Sequence, residues 1–236
     1  MLSFMDMMES KMTDDSVSLE IASKAEQKTE GRHAYRFIKR TFDIVVSLFA
    51  ISLAIIPMLI CCAVVAATSP GSPLFFHRRV GRWGKPLDIL KIRTMYSDAE
   101  ENLSKYLTPE QLEIWNKEHK LDDDPRITPA GKFLRATSLD EVPQFVNVLL
   151  GQMSLIGPRP LVQQEIDDYF ADTKQVLLSI KPGLTGYWQA YARNDVTFAS
   201  GKRQEMELYY VKNRSLLFDV KIFFKTFVAV FTKTGH

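Results

Sequence analysis

Residues 44–67 have the sequence IVVSLFAISLAIIPMLICCAVVAA, a run of about two dozen residues without a charged side chain. A helix needs roughly 20 apolar residues to cross the core of a bilayer, and a buried helix of this length is unusual in a soluble protein. We therefore expect a membrane-inserted segment within residues 34–72. A soluble protein with a buried apolar helix is the alternative.

The flanks of this apolar run suggest how it enters the membrane. Pro57 lies in its middle, and basic residues stand on both sides of it: Arg36, Lys39, Arg40, Arg78, Arg79 and Arg82. Lys and Arg favour the cytoplasmic side of a membrane, and a proline inside a helix bends it. These features predict a re-entrant helical hairpin with both ends in the cytoplasm. A fully spanning helix remains the alternative.

The composition excludes several classes of protein. The chain has 236 residues, 30 Lys and Arg against 28 Asp and Glu, and two cysteines. It is therefore neither a collagen nor a disulfide scaffold, and its near-neutral charge argues against nucleic-acid binding. Cys61 and Cys62 are adjacent inside the apolar run, so we interpret them as small packing residues that form neither a disulfide nor a zinc site.

The remainder of the chain predicts a mainly helical α+β fold. Residues 1–33 are polar and indicate a mobile tail, whereas residues 73–236 are expected to form the folded domain. Two β-like stretches separated by a Gly- and Pro-containing turn predict a small β-hairpin, residues 74–80 and 87–93.

Two further helices follow from local signals. Thr108 before Pro109 predicts a helix start within a helical region at residues 97–119. Residues 215–232 predict an amphipathic helix, which lies on the membrane or packs as an ordinary core helix.

The densest polar motif, residues 122–144, contains Ser138-Leu139-Asp140-Glu141. An acid three residues after a serine predicts a capping box, in which Glu141 folds back onto the Ser138 amide. In the other interpretation, a helix start keeps Asp140 and Glu141 ionised, Glu141 helps to hold a divalent cation, and Asp140 is a nucleophile for phosphoryl transfer. The residues leave both interpretations open.

Two loops are candidates for ligand binding. Arg159 lies between two prolines, which predicts a guanidinium preorganised for bidentate phosphate contact, with a solvated surface arginine as the alternative. In KPGLTGYWQ, residues 181–189, the glycines let the backbone approach a ligand closely. Tyr187 and Trp188 are predicted either to stack on a nucleobase or to lie at the membrane interface.

These motifs together resemble those of the bacterial sugar transferases. The resemblance runs from about residue 35 to the C-terminus and rests on the apolar segment with its central proline and on six motifs: KIRTM (91–95), DDDPRITPAGKFLRATSLDEVPQ (122–144), NVLLGQMSLIGPRP (147–160), KPGLTGYWQ (181–189), ARNDV (192–196) and YYVKN (209–213). Enzymes of this family are monotopic and transfer a sugar-1-phosphate to a polyprenyl phosphate at the start of exopolysaccharide, capsule or O-antigen synthesis.

The resemblance implies that residues 73–236 are a catalytic domain on the cytoplasmic face of the inner membrane. It also implies a UDP-sugar donor, galactose or glucose in type, an undecaprenyl phosphate acceptor and release of UMP. Asp140 would be the nucleophile, forming a covalent phosphosugar-aspartate, and Asp140 and Glu141 would bind Mg²⁺. Substrates and phosphates would contact the remaining matched residues: Lys91, Arg93, Arg135, Arg159, Arg193, Asn194 and Glu207. Membrane lipid and downstream glycosyltransferases are the implied partners.

Some positions depart from the family pattern. Ile56 precedes Pro57 where many relatives have serine, which weakens the inference of a hairpin, and Ala192 stands where glycine is usual before Arg193-Asn194. Two alternatives therefore remain: the same reaction on an N-acetylated sugar, and a catalytically silent membrane adaptor of the polysaccharide assembly machinery. The intact Asp140-Glu141 pair and Arg159 argue against the adaptor.

Overall fold

The computed structural model describes residues 33–99, 101–118, 121, 123–192 and 196–231. Residue contacts divide the chain into two compact units. The larger unit comprises Met1–Phe49, Arg78–Asp88 and Phe145–His236, and the smaller unit comprises Ala50–His77 and Ile89–Gln144. The predicted tail lies outside the described residues except for its last residue, His33.

The predicted membrane segment forms one long helix, α1, His33–Thr68. Within the described ranges it is the one helix long and apolar enough to cross a membrane. Only 6% of its most apolar 18-residue stretch is buried, whereas a core helix of a soluble protein would be mostly covered. Pro57 lies inside this uninterrupted helix. The structure therefore supports membrane association, and the re-entrant hairpin stays a prediction.

The predicted β-hairpin is confirmed, almost to the residue. Strands β1, Leu74–Val80, and β2, Pro86–Ile92, pair in a two-stranded sheet. A short 3₁₀ turn, Arg82–Gly84, joins them. Trp83 in this turn has a positive φ of 61°, a conformation that side chains adopt at a cost, and its backbone N–H donates to the Leu178 carbonyl.

From residue 144 onwards, the described part of the chain forms a short parallel sheet and six helices. Strands β3, Ser154–Ile156, and β4, Gly183–Thr185, pair in parallel, with Ser154 opposite Gly183. The helices, which follow in chain order, are α5 (Gln144–Leu149), α6 (Gln163–Tyr169), α7 (Lys174–Leu177), α8 (Tyr187–Tyr191), α9 (Lys202–Asn213) and α10 (Leu216–Phe231). Their apolar core is built around Val80, Leu161, Ile166, Phe170 and Leu177.

The smaller unit contains the remaining three helices of the described chain: α2 (Leu103–Tyr106), α3 (Pro109–Glu118) and α4 (Pro129–Thr137). The predicted helix start at Pro109 is confirmed: Thr108 Oγ1 accepts the Gln111 N–H at 3.2 Å, and Gln111 Oε1 accepts the Thr108 N–H at 3.1 Å. Cys61 and Cys62 form no disulfide and pack against the core of this unit, as predicted.

Helix α10 confirms the predicted C-terminal amphipathic helix and presents two different faces. On one face, Asp219 accepts hydrogen bonds from Tyr35 and Lys39 of α1, both at 2.9 Å, and Ile222 is fully buried. On the other face, large apolar side chains are exposed: Leu217, Val220, Phe224, Phe227 and Val228. One face therefore packs in the larger unit, and the other remains available to an apolar environment.

Candidate active site

The Asp140-Glu141 pair lies in a 3₁₀ turn, Leu139–Glu141, directly after α4. Ser138 ends α4 in the left-handed conformation with a φ of 56°, and its backbone N–H donates to the Arg135 carbonyl. Glu141 Oε1 accepts a hydrogen bond from Lys91 Nζ at 2.9 Å. The predicted capping box is therefore wrong: the Ser138 side chain makes no cap hydrogen bond to the 3₁₀ turn, and the Ser138 N–H donates to the preceding helix instead of to Glu141.

Asp140 and Glu141 differ in their environments. Asp140 is 8% exposed, whereas the Glu141 side chain is 42% exposed. Burial, and then the neighbouring Glu141 charge, raises the pKa of Asp140 to about 6, although Lys91 and Arg135 act in the opposite direction. Loss of solvent therefore outweighs the nearby positive charges. A carboxyl with a pKa of about 6 is still mainly ionised at pH 7, and the predicted nucleophile stays a prediction.

Two predicted phosphate-binding arginines lie in the same unit as the carboxylates. Arg135 is exposed, and its Nε donates to Thr94 Oγ1 at 3.0 Å. Arg93 is buried, and its guanidinium donates to the carbonyls of Ser69, Pro70 and Gly71. Arg93 therefore stabilises the loop that follows α1. A substrate contact for Arg93 stays a prediction.

The first part of the 122–144 motif forms a structural clamp. Arg126 is 1% exposed, and its Nε and Nη2 donate to both carboxylate oxygens of Asp124 at 2.6–3.2 Å. The guanidinium also lies 3.9 Å from the centroid of the Trp115 ring. Close geometry and several hydrogen bonds offset the cost of removing both charges from water. The 122–144 motif thus contains two separate features, the buried Asp124–Arg126 ion pair and the Asp140-Glu141 pair. Sequence reasoning missed the ion pair.

The donor set bears on the predicted magnesium ion. Within the described residues, no group of three or more His, Cys, Asp or Glu is placed to hold a metal. Asp140 and Glu141 alone contribute two carboxylates. Mg²⁺ is commonly bound through one or two carboxylates together with substrate phosphates and water. The two carboxylates therefore fit a metal ion that is completed by a phosphate ligand.

In the larger unit, Arg159 is positioned by its neighbours in the β3–β4 region. The Gly157 N–H donates to the Thr185 carbonyl at 2.9 Å, and the Gly183 N–H donates to the Pro158 carbonyl at 2.8 Å. The Arg159 N–H faces both carboxylate oxygens of Glu207 at 3.4 Å. These contacts fix the backbone up to the Arg159 N–H and thereby the point from which the Arg159 side chain extends.

Glu207 was predicted to bind substrate, and the structure places it inside the larger unit. It is 1% exposed, and burial raises its pKa to about 7 despite the opposing charges of Arg203 and Arg159. The described contacts of the carboxylate are with the backbone at Arg159 rather than with open solvent. A substrate contact for Glu207 stays a prediction.

Arg203 is a buried residue of this region that sequence reasoning missed. Its guanidinium lies 3.8 Å from the Trp188 ring centroid and 3.6 Å from that of Phe198, so it is sandwiched between two rings. Arg159 approaches the same Trp188 ring at 5.7 Å. The sequence offers one indication of a contact between Arg203 and Glu207: they are four residues apart, which places them on the same face of a helix.

Trp188 itself is 4% exposed, and its indole N–H donates to the Val196 carbonyl at 3.0 Å. It is therefore a buried packing residue rather than a membrane anchor. Tyr187 packs against Tyr191, Tyr209 and Phe218. The predicted nucleotide contacts of Arg193 and Asn194 lie outside the described residues.

Comparisons with known proteins identify the chain's relatives. It is 42% identical over 206 residues to the UDP-galactose-lipid carrier transferase of Erwinia amylovora, covering 86% of this chain and 42% of that protein. It is 41% identical over 211 residues to the undecaprenyl-phosphate galactose phosphotransferase of Salmonella typhimurium, covering 89% and 44%. The chain thus spans less than half the length of these two relatives.

A shorter relative is matched over most of its own length as well as most of this chain. The chain is 40% identical over 200 residues to the exopolysaccharide production protein ExoY of Sinorhizobium fredii, and the match covers 84% of this chain and 87% of that protein. The family model described as bacterial sugar transferase matches residues 34–233, which include nearly all of α1 and the Asp140-Glu141 pair. The chain therefore belongs to the bacterial sugar transferase family.

Proposed function

We propose that the protein transfers a hexose-1-phosphate from UDP-galactose or UDP-glucose to undecaprenyl phosphate and releases UMP. The observation that carries this proposal is the buried Asp140 beside Glu141, with Lys91 bound to Glu141 at 2.9 Å. A carboxylate nucleophile that must meet an anionic phosphate needs positive charge around it, and Lys91 and Arg135 supply that charge.

In the first step, a carboxylate oxygen of Asp140 attacks the sugar-bearing phosphorus of the UDP-sugar. A bond forms between this oxygen and phosphorus, the bond from phosphorus to the bridging oxygen breaks, and UMP leaves with that oxygen. Asp140 must be ionised to attack, so protonation of a carboxyl whose pKa is about 6 would stop this step.

In the second step, a phosphate oxygen of the lipid acceptor attacks the same phosphorus. The bond between Asp140 and phosphorus breaks, and the carboxylate is restored without a net change in protonation. Arg135 and Lys91 remain beside the carboxylate in both steps, where they balance the charge on the phosphoryl oxygens. A phosphate contact for Arg159, which lies in the larger unit, stays a prediction from the family resemblance, and a planar guanidinium suits that contact.

Mg²⁺ belongs to this proposal as a cofactor. Glu141 and Asp140 would hold it, and when bound it supplies positive charge to the phosphoryl oxygens. Lys91 keeps the Glu141 carboxylate in place beside Asp140.

The sugar is proposed to be a hexose without an N-acetyl group. Three relatives named for galactose transfer are 38–42% identical, whereas the N-acetylgalactosamine-phosphate transferase of Aeromonas hydrophila is 34% identical. The difference is modest, so galactose and glucose are placed ahead of N-acetylated sugars in the test below.

The proposed reaction takes place at the cytoplasmic face of the inner membrane, where a UDP-sugar is available. The apolar helix α1 keeps the protein at the bilayer in which the lipid acceptor resides. Downstream glycosyltransferases would then extend the lipid-linked sugar.

Asp140→Asn tests the proposal directly. It removes the nucleophile with almost no change in volume, so we expect UMP release to fall by at least 10³-fold while folding and membrane association are retained. UMP release is measured with UDP-galactose, UDP-glucose and their N-acetylated counterparts, with Mg²⁺ and undecaprenyl phosphate. Asp123→Asn, at an exposed aspartate paired with Lys132, is the matched control and should retain activity.

Appreciable UMP release by Asp140→Asn would contradict the covalent mechanism. If the wild-type protein binds undecaprenyl phosphate but turns over none of the UDP-sugars, the membrane adaptor becomes the better interpretation.

A further inference from the structure

Three cationic side chains of the larger unit converge near the N-terminal end of α1. Arg40 lies four residues before the apolar run, and its Nη1 and Nη2 donate to the Val148 and Leu149 carbonyls, each at 2.6 Å. These carbonyls belong to the last turn of α5. Arg40 is thus held in place just before the chain enters the apolar part of α1.

Gly151 lies between Arg40 and a second cation, Lys181. A methyl group added to Gly151 would lie 3.3 Å from Lys181 Nζ and 3.4 Å from Arg40 Nη2. Both cationic groups therefore face the same small space above this glycine. The neighbouring Leu150 is 68% exposed, so an apolar side chain borders this space.

The third cation is Arg82, in the turn of the β-hairpin. Its Nε donates to the Ser179 carbonyl at 2.9 Å, two residues before Lys181. Arg82 also lies 4.6 Å from the ring centroid of Trp83, which is 47% exposed. Exposed tryptophan beside basic residues is typical of the interface between membrane and water.

The positive charge of Lys181 is incompletely balanced. Burial, followed by the charges of Arg40 and Arg82, lowers the pKa of Lys181, and Asp43 alone raises it. Asp43 already accepts hydrogen bonds from Ser154 Oγ and the Leu155 N–H. In the described part of the chain, no carboxylate forms an ion pair with the half-buried Lys181.

We propose that Arg40, Lys181 and Arg82 form a binding site for the phosphate group of a membrane lipid. A phosphate accepts several charge-assisted hydrogen bonds at once, and basic pockets at the cytoplasmic surface are suited to lipid headgroups. The position of Arg40 beside the apolar run places the phosphate at headgroup depth, with the acyl chains directed towards α1 and Leu150.

Two lipids carry this chemistry: an anionic phospholipid such as phosphatidylglycerol, and the undecaprenyl phosphate of the proposed reaction. Only the second source rests on the proposed function. The binding test below requires no turnover, so it can succeed or fail independently of UMP release.

The test uses the full-length protein in a neutral detergent, with bound lipid counted by native mass spectrometry. Phosphatidylglycerol, phosphatidylcholine and undecaprenyl phosphate are titrated separately. Lys181→Gln should weaken binding of at least one of the two anionic lipids about fivefold, because a basic residue near a lipid surface contributes about 1 kcal/mol. Lys174→Gln, which removes the same charge from an exposed lysine of α7, should leave binding unchanged.

A second pair of variants controls for folding. Gly151→Asp places a carboxylate beside both cations and should displace the lipid phosphate, whereas Gly151→Asn has nearly the same shape without the charge. Both residues tolerate the positive φ of 75° at this position better than most others. Gly151→Asn should therefore bind more lipid than Gly151→Asp.

A loss with Lys181→Gln confined to phosphatidylglycerol supports a structural lipid site, and a loss confined to undecaprenyl phosphate supports an acceptor site. A loss with both supports a general lipid-phosphate site. Equal binding of both lipids by Lys181→Gln and the wild-type protein, or by the two Gly151 variants, overturns the proposal.

Discussion

Glu207 shows how a charged residue can differ from its expected role once its surroundings are known. The resemblance to the family implied a substrate contact for it. In the structure its carboxylate is buried and faces the backbone N–H of Arg159. We therefore interpret Glu207 as a positioning residue for Arg159. No local pattern indicates this, since residues 159 and 207 meet only through folding.

The raised pKa of Glu207 predicts a pH-dependent stability. A carboxyl whose folded pKa, about 7, lies above its unfolded value of 4.5 contributes stability that is complete below pH 4.5 and is lost as the pH rises through 7. Relative to Glu207→Gln, the wild-type protein should therefore lose about 2 to 3 kcal/mol of its free energy of unfolding between pH 5 and pH 8. Thermal unfolding in detergent across this range measures the difference.

Glu205→Gln is the matched control, since Glu205 is exposed on the same helix. Its melting temperature should follow that of the wild-type protein at every pH. A constant difference between Glu207→Gln and the wild-type protein from pH 5 to pH 8 would contradict the assignment of a raised pKa to Glu207.

The helices and strands were predictable wherever their signals are local. The β-hairpin, the helix start at Pro109 and the C-terminal helix α10 each follow from side chains within a few residues of one another. The capping box at Ser138 failed for a related reason. The sequence Ser138-Leu139-Asp140-Glu141 is compatible with either end of a helix. In the structure, the preceding helix α4 continues to Thr137, and Ser138 is its C-cap.

The contact between β3 and β4 depends on two glycines that approach each other closely. A methyl group added to Gly183 would clash with the backbone nitrogen of Gly157. Gly183→Ala should therefore separate the two strands and lower the free energy of unfolding by about 3 kcal/mol. Because the Gly183 N–H also bonds to the Pro158 carbonyl, the KM for the UDP-sugar should rise as Arg159 loses its position.

Gly84→Ala provides the comparison for Gly183→Ala. Gly84 has a φ of 73°, but an added methyl group would meet no atom within 4 Å. This variant should cost only about 1 kcal/mol of backbone strain and should leave the KM unchanged. If thermal unfolding shows equal losses for the two variants, steric contact does not control the β3–β4 pairing.

At the scale of the whole chain, α1 determines on which side of the membrane the N-terminal tail lies. The structure has a continuous helix of 36 residues with Pro57 inside it, whereas the basic flanks favour both ends in the cytoplasm. Pro57→Leu restores a helical hydrogen bond and should favour a straight span. We expect this substitution to move the N-terminal tail to the periplasmic side.

Cysteine labelling checks this prediction. The test protein carries Ser16→Cys together with Cys61→Ala and Cys62→Ala, so that Ser16→Cys supplies its one thiol. Spheroplasts and inside-out vesicles that contain this protein are treated with a membrane-impermeant maleimide. The parent protein should label only in inside-out vesicles, and Pro57→Leu should also label in spheroplasts. A cytoplasmic tail in both proteins would show that the proline does not set the topology.

The amino-acid sequence was sufficient for the family, the apolar segment, most secondary structure and the Asp140-Glu141 pair, because each depends on residues that are neighbours in the chain. The environment of each charged residue required the folded structure. Burial raises the pKa of Asp140. Folding also brings Arg126 against Asp124 and the Trp115 ring, and it places the buried Glu207 carboxylate against the Arg159 N–H. Desolvation and charge pairing depend on distances in space, and segments remote in sequence set those distances.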